Sequence, residues 1–275
     1  MAPIPSPPRT RPLLNGLKAL TKARSSLPAK HTTLLAGGPM EYVKAGNGSP
    51  AVVLIGGFGI PIEAWALILP QLTQVSTLFA YNRRWISASA EPQQPQTGTV
   101  VVDELRALLD AAAVAPPYVI VGHALGGLYA NLFARRFGHE VAGIVLLEAV
   151  HPDDDMDEGR LRFMPRSSRP GRSRRGARRH HELHFLAETA REIEQAGPLP
   201  DVPLTIVSGG RPPPRWTTSP QQVRTHAARQ RELVALSQRA THVVAPATGH
   251  FPQVTDPEIV VGAVREVVAR SRRPS

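Results

Sequence analysis

The chain of 275 residues contains no cysteine. Disulfides, thiolate metal ligands and a cysteine nucleophile are therefore excluded, while the redox compartment stays open. No apolar run approaches the ~18–20 residues that a membrane-spanning helix needs. Aromatic residues are scarce, at 5%, and they are not interleaved with the basic segments as nucleic-acid recognition requires. Acidic residues are missing from two long stretches. Residues 1–40 carry Arg9, Arg11, Lys18, Lys22, Arg24 and Lys30, and residues 160–179 carry nine arginines, with no acid in either. Those fifteen cations exceed the whole formal net charge of +10, which leaves the rest of the chain mildly acidic. The positive charge belongs to a tail and an insertion, and a nucleic-acid partner is not expected.

What is present is a hydrophobic fraction of 42%, enough for one large domain with a substantial core. Residues 1–31 read as a flexible basic extension, with a short amphipathic turn or helix at residues 12–20. A targeting peptide is the other reading, although Asn15, Gly16 and Lys18 break the apolar stretch of a secretory signal. A soluble, cytoplasmic protein is the expectation. Two short strands are predicted around Gly37-Gly38 within residues 32–46, then strands at Ala51–Gly57, Thr77–Asn82, Tyr118–Val121, Ala142–Leu147, Pro203–Ser208 and Thr241–Val244. Between them, helical spacing runs over Ile62–Leu72, Val100–Leu109, Leu128–Phe137, Pro220–Ser237 and Asp256 to about Arg270. This alternation predicts an α/β fold with a mainly parallel, doubly wound sheet covered on both faces. Residues 152–199 interrupt it: they are polar, arginine-rich and helical only over Glu182–Gln195, which reads as an inserted lid. Residues 32–151 and 200–275 form the expected core.

The most informative local pattern is Gly122-His123-Ala124-Leu125-Gly126 between an apolar strand and a helix. A strand, a glycine-flanked pentapeptide and a helix give the sharp turn that pushes its central side chain into a cleft. A nucleophilic serine is expected at that centre. Ala124 offers a methyl group, with no oxygen to attack a carbonyl.

With this stretch the sequence resembles the α/β-hydrolase family from about residue 38 to 270, apart from the lid. The resemblance rests on Pro117–Gly127, on Ala142–Glu148 with His151-Pro152-Asp153, on Gly56-Gly57-Phe58-Gly59 with Trp65, and on Gly249-His250-Phe251. It implies an α/β-hydrolase fold and a serine hydrolase acting on a carboxylic ester or lactone through an acyl-enzyme, with no metal or organic cofactor. His250 would be the general base and Glu148 the acid orienting it. Relatives also place an acid after the strand that here is Pro203–Ser208, but in this chain none follows until Glu232. Asp153 is the next candidate, and a structural carboxylate is the other role open to Glu148. The family's geometry makes the backbone N–H groups of Phe58 and Leu125 the oxyanion donors. His123 is expected beneath the turn, and His151, His180, His181 and His184 in solvent. Trp65 and Trp216 either line the substrate pocket or belong to the core.

The chain departs from the family twice. Ala124 replaces the nucleophile, and Tyr81-Asn82-Arg83-Arg84-Trp85-Ile86-Ser87 lacks the glycines of the related turn. Three readings of Ala124 follow: an inactivated serine hydrolase, a cofactor-free enzyme using His250 and Glu148 as a general base, or a non-catalytic ligand-binding protein.

Overall fold

A computed structural model describes residues 11–154, 180–213 and 218–272. Eight strands among them form one sheet: β1 (Lys30–Leu35), β2 (Gly38–Ala45), β3 (Ala51–Ile55), β4 (Leu78–Tyr81), β5 (Tyr118–His123), β6 (Val141–Leu147), β7 (Leu204–Gly209) and β8 (Ala240–Ala245). Their order is β1-β2-β4-β3-β5-β6-β7-β8. The pairs β1/β2 and β2/β4 are antiparallel, and every later pair is parallel. The helices are α1 (Arg11–Ala23), α2 (Leu69–Leu72), α3 (Gly98–Ala111), α4 (Leu125–Arg136), α5 (Leu186–Gln195), α6 (Pro220–Glu232), α7 (Pro252–Thr255) and α8 (Pro257–Ser271).

The central strands read as continuous apolar runs because both faces are covered. Val53 and Ile55 of β3 pack with Leu105 of α3 and Leu132 of α4. Val52 and Leu54, pointing the other way, pack with Val260 and Val264 of α8. Two predicted helices are shorter than their spacing suggested. Ile62–Leu72 splits into a 3-10 turn, Ile62–Trp65, and α2, because Pro70 has no N–H and fits only in a helix's first turn. The Pro220–Ser237 pattern is helical to Glu232 and then tightens into a 3-10 turn, Leu233–Leu236.

The second half of the expected lid is built into the body: α5 buries Leu186, Thr189 and Ile193 beside α3 and α4. Residues 155–179, which hold the arginine run, lie outside the described residues. At the other end, residues 11–23 of the expected flexible extension are a helix. Gly16 lies so close to the Val254 carbonyl of α7 that any side chain there would strike it, and Leu20 is buried.

The strand order places the functional edge. The chain leaves β3 to form β4 on one side and returns to form β5 on the other, a switch point that opens a crevice at the carboxyl ends. Ile55 pairs with Gly122, His123 with Leu147, Leu147 with Val207, and Gly209 with Ala245. The loops after β3, β5, β6, β7 and β8 therefore emerge along one edge.

Candidate active site

The turn between β5 and α4 is held in a conformation that few residues adopt. Ala124 has φ 49° and ψ −117°, left-handed space that costs an L-residue roughly 1–3 kcal/mol. Three backbone hydrogen bonds fix it: Ala124 N–H donates to Leu147 O (3.0 Å), while Gly127 and Val150 N–H donate to Ala124 O (2.9 and 3.0 Å). Gly126 is required because a side chain there would overlap the Ile55 carbonyl of β3. Glu148, just past β6, is also left-handed, with φ 46°, and is anchored by its N–H to Val207 O at 2.9 Å.

Glu148 is buried, and its two oxygens have separate tasks. Oε1 accepts the Gly209 N–H at 2.7 Å. Oε2 lies 3.5 Å from His250 Nδ1 and 3.1 Å from His226 Nε2. Burial opposes ionisation of this carboxyl, but hydrogen bonds from His226 and His250 outweigh it and hold the group well below the usual carboxylate range. The sequence-predicted pair of Glu148 and His250 is thus brought together, with the His250 side chain 52% exposed. His226, on α6, was not anticipated. Its helix is polar and offers no apolar stripe that would have marked the residue.

His123 is fully buried beneath the turn, as expected. Its Nε2 lies 2.7 Å from the His250 carbonyl, which can only accept, so Nε2 carries the proton. Burial first, and then His250, push its pKa down to about 3. The ring meets Trp65 edge-on, at 6.3 Å between centroids. Trp65 is 1% exposed and takes the core alternative. Trp216 lies outside the described residues.

The loop after β3 abuts the same turn: a Cβ placed on Gly57 would stand 3.2 Å from Ala124 Cβ. Leu125 opens α4, so its N–H has no acceptor within the helix. Arg83 grips the loop from below. It donates to Gly56 O (2.6 Å) and Gly57 O (2.9 Å) and forms a fork with Glu182 at 2.8 and 3.0 Å. Tyr129 of α4 donates to Glu182 as well, at 3.1 Å. Burial works against the charge on Arg83, but Glu182 more than compensates and keeps it a cation. Arg83 stands 4% exposed.

The turn that lacked glycines solves its geometry by strain. Trp85 and Ser87 adopt φ values of 77° and 53°. Trp85 N–H donates to Ala90 O at 3.0 Å, and its ring packs against His181 at 5.1 Å. His181 also meets Phe58, at 4.6 Å. The expectation of solvated histidines is therefore corrected for His181, which is buried and pushed down to about 4 by that burial. It is corrected for His151 too, whose ring is mostly covered and accepts the Asp153 N–H at 3.1 Å. His181 lies between the Phe58 and Trp85 rings and accepts the Leu183 N–H at 3.2 Å, which offsets part of the cost of burying it. His184 is exposed.

A cavity of about 790 Å³ adjoins this edge, lined by Phe58, Ile60, Trp85, His181 and Phe251, with Leu13 and Leu17 of α1 at its rim. Phe58 and Phe251, the chain neighbours of Gly57 and His250, line it, while Ala124, Glu148 and His250 do not. No group of residues suited to a metal occurs among those described.

The fold agrees with the comparisons. The sequence profile of the Alpha/beta hydrolase family matches residues 52–263. Uncharacterized protein YqjL of Bacillus subtilis (strain 168) is 24% identical over 224 residues, spanning 82% of this chain and 85% of that protein. Among solved structures, a lipase candidate (lip1) of Acinetobacter baumannii AYE superposes with a TM-score of 0.67 at 14% identity, covering 98% of both chains. The epoxide hydrolase CorEH superposes with a TM-score of 0.66 at 16% identity, covering 89% of this chain and 99% of that one. At such identities the structural likeness speaks for the fold alone.

Proposed function

The chain belongs to the alpha/beta hydrolase family, and from that membership we propose a site laid out for serine-type hydrolysis of a carboxylic ester or lactone, with alanine in the nucleophile's place. The observation that carries this reading is the buried Glu148, 3.5 Å from His250, beside a strained Gly-x-Ala-x-Gly turn. With a hydroxyl at position 124, His250 takes its proton as the oxygen attacks the ester carbon. Glu148 holds the imidazole and stabilises its charged form. The oxyanion accepts hydrogen bonds from Phe58 and Leu125 N–H. The acyl-enzyme forms as the leaving alkoxide receives the proton from His250, and water, activated by the same base, then releases the acid.

Arg83 serves this step indirectly. The Gly57 carbonyl and the Phe58 N–H belong to one planar peptide and point in opposite directions. Fixing the carbonyl oxygen on Arg83 therefore aims the N–H away from the guanidinium. Ala124 leaves these parts without an attacking atom, so the chain as it stands binds the ester without forming the covalent intermediate. A lipase candidate and an epoxide hydrolase share this fold, so the site's own groups decide the chemistry.

The test is Ala124→Ser, assayed with p-nitrophenyl acyl esters. Removing a triad nucleophile lowers turnover by roughly 10⁶-fold, and restoring one is expected to raise it by at least about 10³-fold. No gain on adding the hydroxyl would reject the reading. Turnover of a non-ester substrate by the alanine form, abolished by His250→Ala, would instead identify a cofactor-free general-base enzyme. Binding with no turnover in either form would identify a ligand-binding protein.

A further inference from the structure

Helix α1 carries an apolar arc that the fold leaves uncovered. Leu13, Leu14 and Leu17 are 45%, 54% and 47% exposed, while Leu20 on the adjoining flank is buried. Successive helical residues turn by about 100°, so the three leucines share one arc, and Lys18 and Lys22 occupy the next. Arg24 follows directly, and no acidic residue occurs anywhere in residues 1–40. Both lysines are exposed. Leu13 and Leu17 also rim the 790 Å³ cavity.

We propose that α1 is a docking surface for an anionic lipid bilayer. The helix lies in the interface, its leucines among the acyl chains and its cations on the headgroup phosphates. Charge complementarity selects this occupant: an apolar arc flanked on its exposed side by Lys18 and Lys22 matches a surface that is greasy within and negative at its rim. At 13 residues the helix is far too short to cross a bilayer, and no helix among the described residues is long and apolar enough to do so. Gly16 and Leu20 tie α1 to the body, so docking brings the cavity rim onto the membrane. The cavity that then faces the bilayer is lined by Leu13, Leu17, Ile60 and Phe58 together with the polar Arg24, Glu63 and Gln96. Docking itself needs no nucleophile and does not depend on the ester reading.

The experiment is co-sedimentation of the full chain with vesicles. One set contains equal parts of phosphatidylcholine and phosphatidylglycerol, the other phosphatidylcholine alone. The expected result is at least about tenfold stronger binding to the anionic vesicles, from the electrostatic attraction of several basic residues. The double variant Leu14→Glu with Leu17→Glu is expected to lose about tenfold or more, and Lys18→Gln with Lys22→Gln to lose several-fold, with thermal melting reporting that each still folds. The lysine pair, fully on the surface, keeps the test open should the leucine variant fail to fold. Absence of binding to anionic vesicles, equal binding to both sets, or unchanged binding of both double variants would overturn the proposal. In the last case the arginines of residues 160–179 would be holding the lipid.

Discussion

Two buried glutamates frame the site, and they differ in what holds them. Glu148 faces a backbone N–H and two imidazoles. Glu182 faces the guanidinium of Arg83 and the hydroxyl of Tyr129. An imidazole gains and loses a proton near neutral pH, whereas a guanidinium stays charged throughout. The first carboxylate thus faces two imidazoles, and the second a guanidinium that keeps its charge. On the proposed reading, the same side chain serves proton chemistry on one wall and scaffolding on the other, and the partner decides which.

That contrast can be broken from either side. In the Ala124→Ser background, Glu148→Gln is expected to lower kcat about 10³–10⁴-fold. The unfolding midpoint should fall as well, because the amide oxygen still accepts from Gly209 but the carboxylate that His226 and His250 stabilise is lost; steady-state ester assays beside urea melts check both halves. Glu182→Ala should act chiefly on stability, by leaving the buried Arg83 charge without its counter-charge. A loss of about 3–5 kcal/mol in urea unfolding is expected, and Glu182→Gln should recover part of it.

Acid sharpens the comparison, because buried neutral histidines stand beside each wall. His123 is held at about 3 and His181 at about 4, both below the ordinary 6.5. In such cases the unfolded chain takes up protons first. Stability is then full above about pH 6.5 and falls as the pH drops towards the folded values, by about 1.4 kcal/mol per unit for each histidine. Urea melts at stepped pH measure the slope, and His123→Gln should flatten it. A smaller effect is expected at Ser87, which is exposed and left-handed. Ser87→Gly should gain about 0.5–1 kcal/mol by releasing that strain, and calorimetry would detect it.

The parts legible in the sequence were those set by local pattern. Apolar runs between glycine-rich turns gave the parallel sheet, and Gly122 to Gly126 gave the elbow. Glu148 and His250 could be named because the resemblance to the α/β-hydrolase family places an acid and a histidine after those strands. Glu182 and His226 could not. Arg83 and Glu182 are 99 residues apart, and Glu148 and His226 are 78 apart, so only the folded packing brings them together. Nor does sequence tell which elements a helix packs on: that α5, within the expected lid, lies against α3 and α4 is visible only in the fold. Trp65 stayed open between pocket and core for the same reason. The missing glycines near Trp85 marked an irregular turn, yet the backbone kept a left-handed path there under strain.

One small detail at the end of β7 has a mechanical result. The Gly209 N–H suspends Glu148, and the empty space where Gly209 lacks a side chain admits the backbone of Thr248 and Gly249, against which a Cβ would stand at 2.7 and 2.6 Å. The next residue is His250. Acid and imidazole therefore hang from one common mount: a thermal displacement of that strand end carries both together, so their spacing is insulated from breathing of the sheet.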